Sequence, residues 1–357
     1  MNFPLLRIGD LACDVPVIQG GMGIAISMSG LASAVANEGG IGVIATSMIG
    51  FNEPDIEKNS FPANIRVLRN EIRKAKEKTE GVLGVNIMVA LTNFSDMVRT
   101  SIEEGIDLIL AGAGLPLDLP SYLKDGAKTK LVPIISSARA ATIICRKWMA
   151  NFNYLPDAFV VEGPLAGGHL GFKVEQLDDP DFALEKLIPE VIKAVKPYET
   201  KYNKSIPVIA AGGIFTGSDI RRFLGLGVAG VQMATRFVAT DECDADDAFK
   251  QAYVKAEKED IKIIKSPVGL PGRAITNKFI DGINKGKEKM NKCLFHCIKS
   301  CKRIKSPYCI GQALANAQKG NLAQGFAFAG QNAYRIKEII SVKELINRLR
   351  EEYLNAG

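Results

Sequence analysis

Residues 158–171, AFVVEGPLAGGHLG, decide how the rest of the chain is read. Positions 158–161 are a short apolar run of the kind that makes a buried strand. The run breaks off at Glu162 into Gly163, Pro164, Gly167, Gly168 and Gly171. His169, one of only two histidines in the chain, sits inside this glycine loop. Without a Cβ, glycine lets the backbone come close to a ligand, and barrel enzymes hold their chemistry in loops at the carboxyl ends of strands. The same residues also suit a plain tight turn with a solvated histidine.

Working outward, one grammar recurs: strand, small-residue loop, helix. Apolar runs at 15–19, 41–45, 83–88, 108–111, 132–135, 158–161, 208–211 and 230–233 predict eight strands. Helical periodicity occupies 29–38, 63–79, 94–103, 138–151, 182–195, 218–226 and 245–258. The strands are apolar on both faces and no two-residue hairpin turn joins them, which suits a parallel sheet with crossover helices. Eight such units predict an α/β fold of the (β/α)8 TIM barrel type. An open doubly wound sheet would carry GxGxxG after its first strand, with an acid about twenty residues on. Gln19-Gly20-Gly21-Met22-Gly23 does not match that pattern.

After the eighth unit the grammar changes. Residues 261–325 carry Pro267, Pro271, Pro307, many lysines and a cluster of cysteines, and read as a helical cap inserted after the eighth strand. The expected division is a barrel at 1–260, a substrate-side cap at 261–325 and a return to the barrel at 326–357. Within the return, 342–354 is amphipathic, with Ser341 as a helix cap and Glu344 three residues later.

With 357 residues, 47% of them hydrophobic, the chain can bury a large core, though composition alone does not choose between one barrel and two domains. A net charge of +6 and an aromatic content of 7% offer no stacking platform for nucleic acid, and leave small acidic ligands as the easier partners. No basic segment precedes an apolar one at the amino terminus, and no run reaches the roughly eighteen apolar residues of a membrane span. The expectation is a soluble cytoplasmic protein, its seven cysteines reduced.

The loops after the seventh and eighth strands are a barrel's usual phosphate site. Here they read Ala211-Gly212-Gly213-Ile214 and Gln232-Met233-Ala234-Thr235-Arg236, combining bare glycines, a hydroxyl and a helix start. With glycines at 20–23 and Asn86 on the third strand, the mouth becomes a backbone-walled slot suited to a planar ring, and flavin mononucleotide (FMN) is the natural occupant. Each glycine taken singly could equally close a tight turn.

The set Gln19-Gly20-Gly21-Met22, Asn86-Ile87-Met88, 162–171, 210–214 and 232–235 resembles the nitronate monooxygenase family, formerly 2-nitropropane dioxygenases. Its close relatives include flavin-containing enoyl-acyl-carrier-protein reductases. The resemblance runs from about residue 3 to residue 240, with a looser echo at Ala329-Gly330-Gln331. It implies FMN at the barrel mouth, with Gly21 and Met22 against the ring and Asn86 on its polar edge. Gly167 and Gly213 would meet the ribityl and phosphate region, and Gln232, Met233, Ala234 and Thr235 would close around the phosphate. Glu162 stands where many relatives have glutamine, and an ionised carboxylate only accepts hydrogen bonds. His169 would be the catalytic residue, taking a proton from the carbon beside a nitro group or hydrogen-bonding the substrate anion.

The activity so implied is oxidation of alkyl nitronates or nitroalkanes with O2 to a carbonyl compound and nitrite. An NAD(P)H-dependent reductase of enoyl thioesters or quinones on the same scaffold is the rival, with an acyl carrier protein as partner. From another class, a non-catalytic flavin- or phosphate-binding barrel with a protein-docking cap stays open, as does a homodimer.

Cys293, Cys297 and Cys301 recur every four residues, with His296 adjacent and Cys309 beyond, so they would line one helix face. The C-x2-C pairs of zinc and iron–sulfur sites are missing, and the expectation is packed thiols without a metal, metal binding being the alternative. Lys285, Lys287, Lys289, Lys292, Lys299, Lys302, Arg303 and Lys305, opposed by Glu288, read as a solvated face or as a dock for a nucleotide or an acidic carrier.

Overall fold

The computed structural model describes residues 3–286, 293, 295–301 and 306–356, and in it the eight expected runs lie side by side in one parallel sheet. In chain order the barrel strands are Val17–Gln19, Gly42–Ala45, Leu83–Met88, Leu108–Gly112, Lys130–Ile135, Phe159–Glu162, Val208–Ala211 and Gly230–Met233. The eighth pairs back onto the first, and a parallel Ile18–Ile41 bridge joins the first to the second. Two amide bonds of 2.9 Å, Gln19 to the Ile41 carbonyl and Ile41 to the Val17 carbonyl, make that seam and close the TIM barrel.

Alternation explains why both faces of the strands are apolar. Ile18, Val43, Leu108, Leu110, Val132, Val160 and Ile209 fill the barrel interior. Their neighbours Val17, Ile44, Ile109, Val161 and Val231 face the surrounding helices in a second, larger cluster. A feature the sequence reading did not anticipate closes the bottom: an antiparallel hairpin, Leu6–Ile8 with Leu11–Cys13, turning at Gly9 with φ +60°. Leu6, Ile8 and Cys13 join the interior cluster.

The helices fall where periodicity placed them, Phe94–Glu103 among them. The terminal helix Val342–Asn355 is capped by Ser341, whose hydroxyl accepts the Glu344 amide at 3.1 Å. It packs so tightly on Gly217–Gly225 that a Cβ at Gly217 would lie 2.0 Å from the Leu349 carbonyl oxygen.

The insertion is helical only in part, which corrects the expectation of a helical cap. Helices Lys278–Asn284 and Ile310–Gln318 are present. Before them, however, Ile261–Lys265 and Pro271–Ile275 form an antiparallel hairpin, flanked by Ala327–Phe328 and by Gly168–His169 from the glycine loop. The strand IKIIK buries Ile261 and Ile264 and exposes Lys262 and Lys265, a short pattern that its lysines disguise.

The cysteine segment is also not the expected helix. Ile298 bridges Leu91 in antiparallel fashion, and the Thr92 amide donates to the Cys297 carbonyl at 3.1 Å, so this stretch docks in extended form on the loop after the third strand. Burial pushes the Cys297 thiol up to about 12, with further contributions from Cys309, Cys293 and Cys301. Among the described residues no group of three or more His, Cys, Asp or Glu is arranged to hold a metal ion. Of the basic run, Lys287, Glu288, Lys289, Lys292, Lys302, Arg303 and Lys305 lie outside the described residues, while Lys299 donates to the Val89 carbonyl at 3.0 Å. No helix among the described residues is long and apolar enough to cross a membrane.

Candidate active site at the barrel mouth

The loops at the carboxyl ends of the strands meet through glycines. A Cβ on Gly21 would lie 2.4 Å from the Asn86 Cβ, so only glycine lets the first loop rest against that asparagine. Gly20 donates its amide to the Met233 carbonyl at 2.8 Å, and a Cβ there would approach Ala234 to 3.1 Å. The first, third and eighth strand ends are thereby held together. Met22 is half-buried, its amide donating to the Ser27 hydroxyl at 2.9 Å. The Met233 side chain turns outward into the helix-facing core, leaving only its backbone at the mouth.

A second convergence involves the chain's return. Gly330 donates its amide to the Thr235 hydroxyl at 3.1 Å, and a Cβ on Gly167 would lie 2.5 Å from the Gly330 nitrogen. Asn332 donates to the Gly213 carbonyl at 2.7 Å, where Gly213 holds φ +82°. The echo at Ala329-Gly330-Gln331 thus sits among Gly167, Gly213 and Thr235. Asn332 was missed from sequence because it lies far from the glycine motifs that it braces.

Strand alternation turns Asn86, Glu162 and Gln232 to the barrel's inner side, as Val85, Ile87, Val161 and Val231 belong to the outer core. The Gln232 Oε1 is buried and has no hydrogen-bond partner among the described residues. Glu162 likewise has no partner there, and burial alone raises its carboxyl from 4.5 to about 7.

His169 lies on the two-residue strand opposite Gly272, its Nε2 2.7 Å from the Ser266 hydroxyl and its ring edge-on to Phe328 at 5.0 Å. Burial lowers its pKa to about 4, so the imidazole is neutral at pH 7. The Ser266 oxygen also accepts the Val268 amide at 3.4 Å, which leaves it one lone pair and one proton for Nε2. Arg273, 3% exposed, donates from one guanidinium nitrogen to the Pro164 and Ala166 carbonyls at 2.6 and 2.7 Å and so clamps the glycine loop. Ser266, Arg273 and Phe328 carried no local signal in the sequence, since each reaches the loop from about a hundred residues or more away.

A planar ring with a polar edge and a phosphate tail could be held here. The buried Gln232 oxygen and the Glu162 carboxyl have no partners among the described residues, and such an edge would supply them. Comparison with known proteins bears on the same point: the family model described as nitronate monooxygenase matches residues 7–352. The chain belongs to the nitronate monooxygenase family. Members of this family are flavoproteins, typically FMN-dependent, and this chain is an oxidoreductase acting on small molecules.

Three relatives illustrate the range of nitronate monooxygenase-like proteins. A Bacillus subtilis (strain 168) protein named probable nitronate monooxygenase is 28% identical, over 94% of this chain and 95% of its own length. A Mycobacterium tuberculosis protein named (3aS,4S,5R,7aS)-5-hydroxy-7a-methyl-1-oxo-octahydro-1H-indene-4-carboxyl-CoA dehydrogenase is 31% identical, over 80% of this chain and 69% of its own. The solved structure of FabK from Thermotoga maritima superposes with a TM-score of 0.73 at 28% identity, covering 96% of this chain and 94% of that one.

Proposed function

We propose that this chain binds FMN at the barrel mouth and oxidises nitroalkanes or their nitronates with O2 to a carbonyl compound and nitrite. The observation that carries the reading is His169, a neutral imidazole fixed between Ser266 and Phe328 on a glycine loop at the strand ends. FMN, when bound, supplies the electron acceptor that no side chain provides. Gly21 and Met22 would face the ring, with Asn86 and Glu162 at its polar edge, and Gln232, first read as part of the phosphate group, would join that edge because strand alternation turns it inward. Gly167 would lie by the ribityl chain, and Gly213, Ala234, Thr235 and the Met233 backbone would surround the phosphate.

Ser266 suits His169 to either of two tasks. If the hydroxyl accepts from Nε2–H, Nδ1 has a free lone pair and can take the proton next to a nitro group. If the hydroxyl donates to Nε2, Nδ1 carries the proton and can hydrogen-bond a nitro oxygen. Neutrality favours the uncharged nitroalkane, since a charged imidazolium is not on hand to attract a nitronate.

The same neutrality supports a second reading, reduction of an enoyl thioester or quinone with NAD(P)H, in which Nδ1–H polarises the carbonyl. The M. tuberculosis relative, named for an acyl-CoA substrate, adds to it. Under that reading an acyl carrier protein is a partner. A cytoplasmic setting, a homodimer and a substrate-side role for 261–325 belong to both. The test is the absorption spectrum of purified protein, with nitroethane and then NADPH added. Nitrite release without NADPH supports the first reading. Bleaching by NADPH, with turnover of a short enoyl-CoA and no nitrite, replaces it by the second. Protein that takes up no flavin removes both.

A further inference from the structure

The fifth barrel strand alternates as its neighbours do: Leu131 and Ile135 face the helices, Val132 and Ile134 the interior. Ser136, the next residue, therefore turns into the mouth. Ile135 is in register with Val161, so Ser136 stands at the level of Glu162, on the side away from Ala211 and Gln232. It is half-buried, and its hydroxyl has no hydrogen-bond partner among the described residues. A Cβ on Gly171 would lie 2.8 Å from that hydroxyl oxygen, so the glycine leaves the hydroxyl its place against the loop that carries His169.

The imidazole lies on the same face of that loop. Leu170 continues the ladder by donating its amide to the Pro271 carbonyl at 2.9 Å, and its side chain is buried in the helix-facing core. In an extended segment the residues on either side of Leu170 point the opposite way, so His169 and the space that Gly171 leaves to Ser136 share a face. Two residues of extended chain span at most about 7 Å. A nitro group and its neighbouring carbon bridge that gap with a contact of about 3 Å at each end.

We infer that Ser136 binds the substrate's nitro group, donating its hydroxyl to a nitro oxygen while His169 takes the proton from the adjoining carbon. This rests on the nitroalkane reading above. When the C–H bond breaks, its electron pair forms the C=N bond, the proton goes to Nδ1, and negative charge gathers on the nitro oxygens. Nδ1 cannot accept that proton and serve an oxygen at once, and Nε2 is held by Ser266. Ser136 supplies the missing donor, where the charge develops.

The experiment follows nitrite release from nitroethane by flavin-loaded, full-length wild type, Ser136→Ala, Gly171→Ala and the double variant. Ser136→Ala is expected to lower kcat/KM about 10²-fold while keeping the wild-type flavin spectrum and FMN Kd. Gly171→Ala presses a methyl on the hydroxyl oxygen, and is expected to cost activity in wild type but nothing further in Ser136→Ala, where that oxygen is gone. Unchanged kcat/KM in Ser136→Ala, weakened FMN binding in it, or a full additional loss in the double variant each overturns the role of Ser136 and leaves the nitroalkane reading intact. Wild type that binds FMN yet releases no nitrite overturns the nitroalkane reading, and this inference with it.

Discussion

An imidazole held neutral down to about pH 4 makes an unusual prediction for rate against pH. Base catalysis by His169 needs the unprotonated form, so its contribution to nitroalkane oxidation is expected to stay level from pH 8 to pH 5 and to fall only near pH 4. Steady-state kinetics across that range check it. His169→Asn is expected to lose about 10²- to 10⁴-fold in kcat/KM while keeping the bound-flavin spectrum. Glu162 has the opposite sign in stability. Its folded value is raised from 4.5 to about 7, so stability is intact below the unfolded value and declines as pH climbs through 7. Glu162→Gln escapes that loss: the unfolding free energies of the two apoproteins, from urea titration, should match near pH 4.5 and diverge by up to about 3 kcal/mol at pH 8. The sequence disclosed His169 and Glu162 through the glycines around them. It could not disclose the neutrality of His169, which comes from burial by residues remote in the chain, Ser266 and Phe328 among them.

At the scale of elements, the glycine loop is the piece whose shape comes from elsewhere. Arg273 occupies both the Pro164 and Ala166 carbonyls, and Arg273→Met leaves these buried acceptors unmet. The expected outcome is a loss of about 2–3 kcal/mol, read as a lower urea midpoint, with a fall in kcat as the loop loosens. The eight barrel strands were legible because each is a dense apolar run with a loop of small residues after it. The hairpin at 261–275 was not, because its strands hold lysines, a proline and an arginine, and pair with a two-residue strand too short to announce itself. The bottom hairpin escaped for the same reason: three residues a side leave little periodicity to detect.

For the molecule as a whole, the carboxyl-terminal helix is part of the barrel's wall. Val342, Leu345, Ile346 and Leu349 are each at most 1% exposed, and Glu352 accepts the Gly217 amide at 2.7 Å. Ending the chain at residue 340 would strip four buried side chains from the core, at about 1.5–3 kcal/mol each, an amount comparable to the entire stability of an ordinary domain. Such a truncation is expected to lose its cooperative thermal transition by circular dichroism. Eight repeats of one local pattern made the architecture readable from the sequence, while the insertion and the return were set by contacts that no single stretch encodes. One of those contacts bears on how the enzyme opens. The strand at 271–275 is laced to the strand that bears His169, and its arginine grips the same loop, so the two are tied together. Swinging that strand aside to admit a reactant would carry the imidazole away with it. The strand at 271–275 therefore belongs to the fixed frame around His169, and a reactant that meets the imidazole in place enters without displacing that strand.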